Sequence, residues 1–274
     1  MGMIKSALLP HRGVVRLTGP DRVAFLNGLV SNDVAKAVPG QAVWAALLTP
    51  QGRYLFDFFI FSDGEQLLLD ATQEGIPELI QALRRFKLRA KLEIEDASEA
   101  FQTYAIWQGT PPDAPLTAAD PRLADAGYRC LSTSTMPNTA SSHDYAVHRL
   151  ALGLPDSAPD LESGKTLLLE AGFDELNGID WKKGCYMGQE LTARTKYRGL
   201  VKRRLLPVTL TQPGIQVGTA ILANEQEVGT LRSSEGTRGL AMLQLSALTK
   251  PLLANNTEVV VDIPGWLQQP GIPL

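Results

Sequence analysis

Apolar positions along the chain change their rhythm several times, and each rhythm predicts an element. Residues 14–18 (Val-Val-Arg-Leu-Thr) read as a short strand, and Gly19-Pro20-Asp21 turns the chain into a helix. Asp21 is its expected N-cap, with Val23, Phe25, Leu26, Leu29 and Val30 on its apolar side. Residues 43–48 and 54–61 are apolar strands joined by Thr49-Pro50-Gln51-Gly52-Arg53. Asp63-Gly64 then turns into a third strand near 66–70, so the three form an antiparallel meander. Pro77 opens a helix over 77–88 with Leu79, Ile80, Leu83 and Phe86 on one face. Alternation at 91–95 predicts a half-exposed strand, and the turn-rich stretches 108–121 and 132–142 predict loops. A helix resumes near 143–152. Beyond residue 205, short β-rich runs at 205–210, 220–222, 227–232, 240–243 and 258–261 predict a small barrel or sandwich. The class that follows is α+β with an all-β C-terminal unit.

Composition narrows the picture. The 274 residues are 44% hydrophobic and 20% charged, with a net charge of −3. That balance gives no global reason to expect a nucleic-acid partner. No apolar run approaches the ~18 residues of a membrane span, and the opening residues carry no signal-peptide pattern. Two cysteines cannot form a disulfide framework, so a reducing cytoplasm is the expected compartment. The three histidines show no metal-ligand spacing. Arg84, Arg85, Lys87, Arg89 and Lys91 make a dense positive cluster, read as a solvated helix face.

Charge is concentrated in one more place. From Lys182 to Arg204 there are eight Lys or Arg against one acid, Glu190. In a protein of negative net charge this marks an anion site or a partner surface. Cys185 lies inside it, beside lysines and near a helix start expected after Gly188. Such a setting stabilises the thiolate, the form that binds metal or attacks an electrophile. A small buried apolar residue is the equally weighted alternative. One cysteine is far from the four thiolates an iron–sulfur cluster usually takes, so any cluster it touches needs ligands from a partner.

The run Lys183-Gly184-Cys185-Tyr186-Met187-Gly188-Gln189-Glu190 resembles the signature of the YgfZ family, folate-binding relatives of the glycine-cleavage T-protein. So do Ala193-Arg194, residues 197–204, Phe25-Leu26-Asn27-Gly28-Leu29 with Asn32-Asp33, and Pro50-Gln51-Gly52-Arg53 with Asp57. The resemblance implies a T-protein-like ring of antiparallel sheets with flanking helices and a C-terminal β-barrel. Residues 1–45 with 143–200 would form the first α+β domain, 46–142 the second, and 201–274 the barrel. It implies tetrahydrofolate or a derivative as cofactor, a role in iron–sulfur cluster assembly or repair, and cluster-assembly or client proteins as partners of a monomer. Cys185 would be the key thiol. Lys183, Tyr186, Gly188, Gln189, Glu190, Arg194, Arg198, Glu170 and Arg149 would form the folate site, with Lys196, Lys202 and Arg203 available for its anionic tail. A true aminomethyltransferase and a non-catalytic scaffold of the same fold are the alternatives.

Overall fold

The computed structural model describes residues 4–111, 114 and 116–268. Strands β1 (Lys5–Leu8) and β2 (Arg12–Thr18) lead into helix α1 (Arg22–Asn27). The meander β3 (Val43–Leu48), β4 (Tyr54–Ser62) and β5 (Leu67–Thr72) is followed by helix α2 (Ile76–Lys87). Next come β6 (Glu93–Asp96), β7 (Gln102–Trp107), β8 (Thr117–Ala119), β9 (Tyr128–Ser132) and helix α3 (Ser142–Leu152). A long irregular stretch precedes helix α4 (Gln189–Tyr197). The chain ends in β10 (Arg203–Leu210), β11 (Ala220–Ala223), β12 (Gln226–Glu235), β13 (Arg238–Gln244), β14 (Leu253–Ala254) and β15 (Thr257–Val261).

Five antiparallel strands in the order β3-β4-β5-β2-β6 form the largest open sheet. Strands β3, β4 and β5 are largely apolar on both faces, because both faces are covered, while the edge strand β6 exposes Glu93, Glu95 and Asp96. Val43, Ala45, Leu47, Phe58, Ile60, Leu67 and Leu69 share one cluster with Leu26 of α1 and Leu79 and Leu83 of α2. The alternate positions Trp44, Ala46, Leu48, Phe59, Phe61 and Leu68 point the other way. There the irregular stretch lies across them through Leu161, Leu168, Phe173, Leu176 and Tyr186, with the Trp44 and Phe173 rings 3.9 Å apart. Leu205, Leu240 and Met242 of the C-terminal unit reach the same cluster. A second sheet, β1-β7-β9-β8, packs beside it, and β10-β13-β12-β11-β14-β15 close into a barrel.

Several expectations change. Phe86 was expected in the apolar stripe of α2, yet it is 40% exposed, and Ile76 takes its place in the core. Asp21 makes no capping bond; its carboxylate accepts from the Lys91 N–H at 2.7 Å and ties α1 to the strand beyond α2. Strand β8 lies inside the expected loop 108–121, of which residues 112, 113 and 115 fall outside the described residues. The boundary drawn at 45/46 falls within β3, and β2 belongs to the same sheet as β4, so one sheet draws on both expected α+β segments. Residues 1–3 and 269–274 of the expected segments lie outside the described residues.

Candidate functional site

The segment around Cys185 is held from below by the turn that follows α1. Asp180 accepts from the N–H groups of Lys182 (2.6 Å) and Lys183 (3.1 Å), and from the Lys36 ammonium. Burial pushes its carboxyl up, but these donors outweigh that and hold it below the usual range. The Asp180 and Met187 N–H groups donate to the carbonyls of Ser31 (3.0 Å) and Gly28 (3.2 Å). Asn32 donates to the Trp44 and Asn177 carbonyls, and the Ser31 hydroxyl to Gly178. Lys183 completes the clamp: its ammonium donates to the carbonyls of Asn27, Val30 and Asn32, each at 2.7 Å. Burial pulls it down to about 8 against the pull of Asp33 and Asp180. Three carbonyls match its three N–H donors, so Lys183 anchors the loop.

Tyr186 turns inward and is buried, which raises its phenol to about 12. Cys185, between exposed Gly184 and buried Tyr186, faces solvent. The buried alternative is therefore not the one adopted. Gly188, at φ +80°, begins α4, and a side chain there would lie 2.6 Å from the Thr49 carbonyl oxygen and 2.9 Å from the Gly52 backbone. Gly52, at φ +77°, meets the Gly188 carbonyl in return. The two glycine motifs, 136 residues apart in sequence, are thus one backbone contact.

Other expected site residues are divided among different places. Gln189 accepts from the Tyr186 N–H at 3.3 Å, while Glu190 and Arg194 are exposed on α4 and Arg198 is exposed just beyond its end. Lys196 pairs with Asp174 at 2.8 Å and sits 4.2 Å from the Trp181 ring centre. Glu170, expected to face a pterin, is buried and already accepts both Arg203 donors, at 3.1 and 3.0 Å. Arg149 is a buried structural partner: it donates to Asp160 at 2.8 Å and to the Leu154 carbonyl at 3.1 Å. The signature does not gather these two beside Cys185.

Clefts flank this framework. One of about 680 Å³ runs between the end of the basic segment and the barrel, lined by Glu170, Leu200, Val201, Lys202, Arg203, Gln244, Leu245 and Ser246. A second, of about 300 Å³, shares Arg203 and adds Arg53, Lys165, Arg232 and Glu162. A third, of about 360 Å³, reaches Asp57. That carboxylate is buried and accepts from Trp44 (2.9 Å), Tyr54 (2.8 Å) and Ser157 (2.7 Å). Burial, then the Asp57 charge, raise the Tyr54 phenol well above its usual value. Sequence reasoning noticed Asp57 only through resemblance. It missed the buried ladder in which Asp70 takes Arg12 and Arg129, Asp120 takes Arg122, and Asp156 takes Arg12. No spacing signals it, because its members come from separate elements. Among the described residues, no three His, Cys, Asp or Glu side chains are grouped to hold a metal ion.

Comparisons place this geometry among known proteins. Residues 202–269 match the family described as CAF17, C-terminal beta-barrel domain. The chain is 37% identical over 77% of its length to the iron–sulfur cluster assembly factor IBA57 homolog, mitochondrial, of Mycosarcoma maydis, and spans 58% of that protein. It is 31% identical to the mouse and 30% identical to the human mitochondrial iron–sulfur cluster assembly factor IBA57, over 94% of this chain and 84% of each relative. Among solved structures, aminomethyltransferase T of the glycine cleavage system from Bartonella henselae superposes with a TM-score of 0.71, covering 97% of this chain and 87% of that one. At 13% identity that likeness shows the fold alone. The expected cytoplasmic placement is corrected here, since these IBA57 relatives are named as mitochondrial and point to that compartment.

Proposed function

Because the chain belongs to the family of the iron–sulfur cluster assembly factor IBA57, we propose that it acts in building iron–sulfur clusters and presents Cys185 to a partner. What supports this is the contrast between a thiol open to solvent and a loop whose every anchor lies beneath it. The cluster is cargo. One thiolate supplies one ligand, so the assembly or client protein contributes the others. Exposed Lys182, Arg194 and Arg198 favour an acidic partner face.

The narrower kinship with the folate-binding YgfZ branch extends the proposal to a reduced folate. The two clefts that meet at Arg203 have the volume and lining for one: Leu200, Val201 and Leu245 for the rings, the Gln244 amide for polar edges, and Lys202 and Arg53 for the carboxylates, with Arg232 held by Glu162. Glu170, engaged by Arg203, is left out of that set. A bound folate would supply one-carbon chemistry; the chain's own residues orient it and balance its charge.

One experiment tests both halves. Wild type, Cys185→Ala and Lys202→Glu are compared for rescue of iron–sulfur enzyme activity in cells lacking the native protein, and for tetrahydrofolate binding in vitro. Cys185→Ala should lose rescue and keep binding; Lys202→Glu should weaken binding roughly tenfold. Full rescue by Cys185→Ala overturns the thiol, and no binding to wild type overturns the folate.

A further inference from the structure

We propose that the C-terminal tip of α2 is a peripheral contact for an anionic lipid surface. The residues form an apolar knob in a ring of cations. Phe86, 40% exposed, lies in the last turn of the helix, and Leu88, 89% exposed, follows one residue beyond its end, with Lys87 between them. Leu88 also stands at φ +39° and ψ −108°, a backbone region that residues other than Gly rarely enter. Among the described residues the most water-exposed leucine thus sits on a turn where a glycine would be easier.

Charge completes the surface. Arg84, Arg85, Lys87, Arg89 and Lys91 flank the knob, and residues 84–91 contain no acid. Of the nearby carboxylates, Glu93 pairs with Lys87 and so offsets one of these cations, and Asp21 takes the Lys91 N–H, while Glu95 is engaged by Arg16 and Asp96 by Ser98. Arg84 donates to the Ile94 carbonyl, while Arg85, Arg89 and Lys91 meet no carboxylate among the described residues. A protein partner is usually read by a broad patch or a groove. A single protruding leucine beside a half-exposed phenylalanine, with cations around both, suits insertion at the headgroup boundary of an acidic bilayer. No described helix is long and apolar enough to cross a membrane, and this contact needs none.

Flotation with vesicles tests it, using phosphatidylcholine alone and phosphatidylcholine mixed with phosphatidylglycerol. The full chain should float with the mixed vesicles only, and less as salt rises. Leu88→Gly, which suits this backbone, should keep its thermal midpoint while binding falls several-fold. The double variant Arg85→Glu with Arg89→Glu should lose about tenfold or more. The proposal is overturned if wild type ignores anionic vesicles, or if both variants bind like wild type. It is equally overturned if Leu88→Gly leaves vesicle binding intact while an acidic polypeptide displaces the protein from them, since the site is then a plain charge patch for protein ligands.

Discussion

Gly184 and Gly188 stand four residues apart, and only one of them is required as glycine. At Gly184 a methyl group would meet nothing within 4 Å, whereas at Gly188 it would overlap the Thr49 carbonyl in a left-handed backbone. Gly188→Ala should therefore lower stability by about 2–3 kcal/mol in urea unfolding, with Gly184→Ala close to neutral. Equal effects would mean that the Gly52–Gly188 contact is not what fixes the loop. At this scale the sequence was legible where chemistry is local. Cys185 stood out by its charged neighbours and by its motif. Lys183 was read as part of the ligand site because its acceptors are backbone carbonyls about 150 residues earlier, and carbonyls leave no trace in residue identity. Glu170 likewise gave no sign of its partner Arg203, which arrives from the barrel.

Elements with their own start signals were found, and those defined by neighbours were not. Helix α3 shows the first case. Ser141 accepts from the Asp144 N–H at 3.1 Å while the Asp144 carboxylate accepts from the Ser141 N–H at 2.8 Å, and Gly153 ends the helix at φ +73°. Ser141→Ala should cost about 1 kcal/mol, seen as a lower thermal midpoint, with site chemistry unchanged. No loss would show that the packing of Tyr145 and Leu150, not the cap, holds α3. Strand β8 shows the second case. Thr-Ala-Ala has little strand preference of its own and exists because β9 offers it an edge. The meander β3-β4-β5 was legible because Gly52 and Gly64 punctuate long apolar runs.

Across the whole molecule, buried charge is the feature the sequence hides best. Asp156 is buried, which pushes its carboxyl up; the cations beside it, Arg12 first, overcome that and hold it well below the usual range. Asp120 is lowered likewise by Arg122 and Arg129 against its own burial. Carboxyls depressed in this way stabilise the fold above their unfolded values, near pH 4, and the stabilisation is lost as pH falls through the folded values. Asp160, raised by burial, acts in the opposite sense over its own range. Asp63, Asp144, Glu162 and Asp180 are depressed as well, so the lowered carboxyls outnumber raised Asp160 and stability should drop below about pH 4, after a smaller loss as the pH falls through about 6.5, where burial holds His148 below its usual value. Urea titrations across that range check it, and a flat profile down to pH 3 would mean the arginine ladder contributes nothing through these acids.

Strand β10 bonds to β13 along one side and to β15 along the other, so the C-terminal ring has no open end. A visiting polypeptide cannot extend that unit by lending it another strand. Recognition there must come through side chains alone. The β1 margin of the neighbouring sheet is closed in another way: its Ser6 and Leu8 N–H groups donate to the Thr139 and Asn138 side chains and its Ser6 carbonyl accepts from the Thr139 and Ala140 N–H groups, so a strand arriving there must first displace residues 138–140.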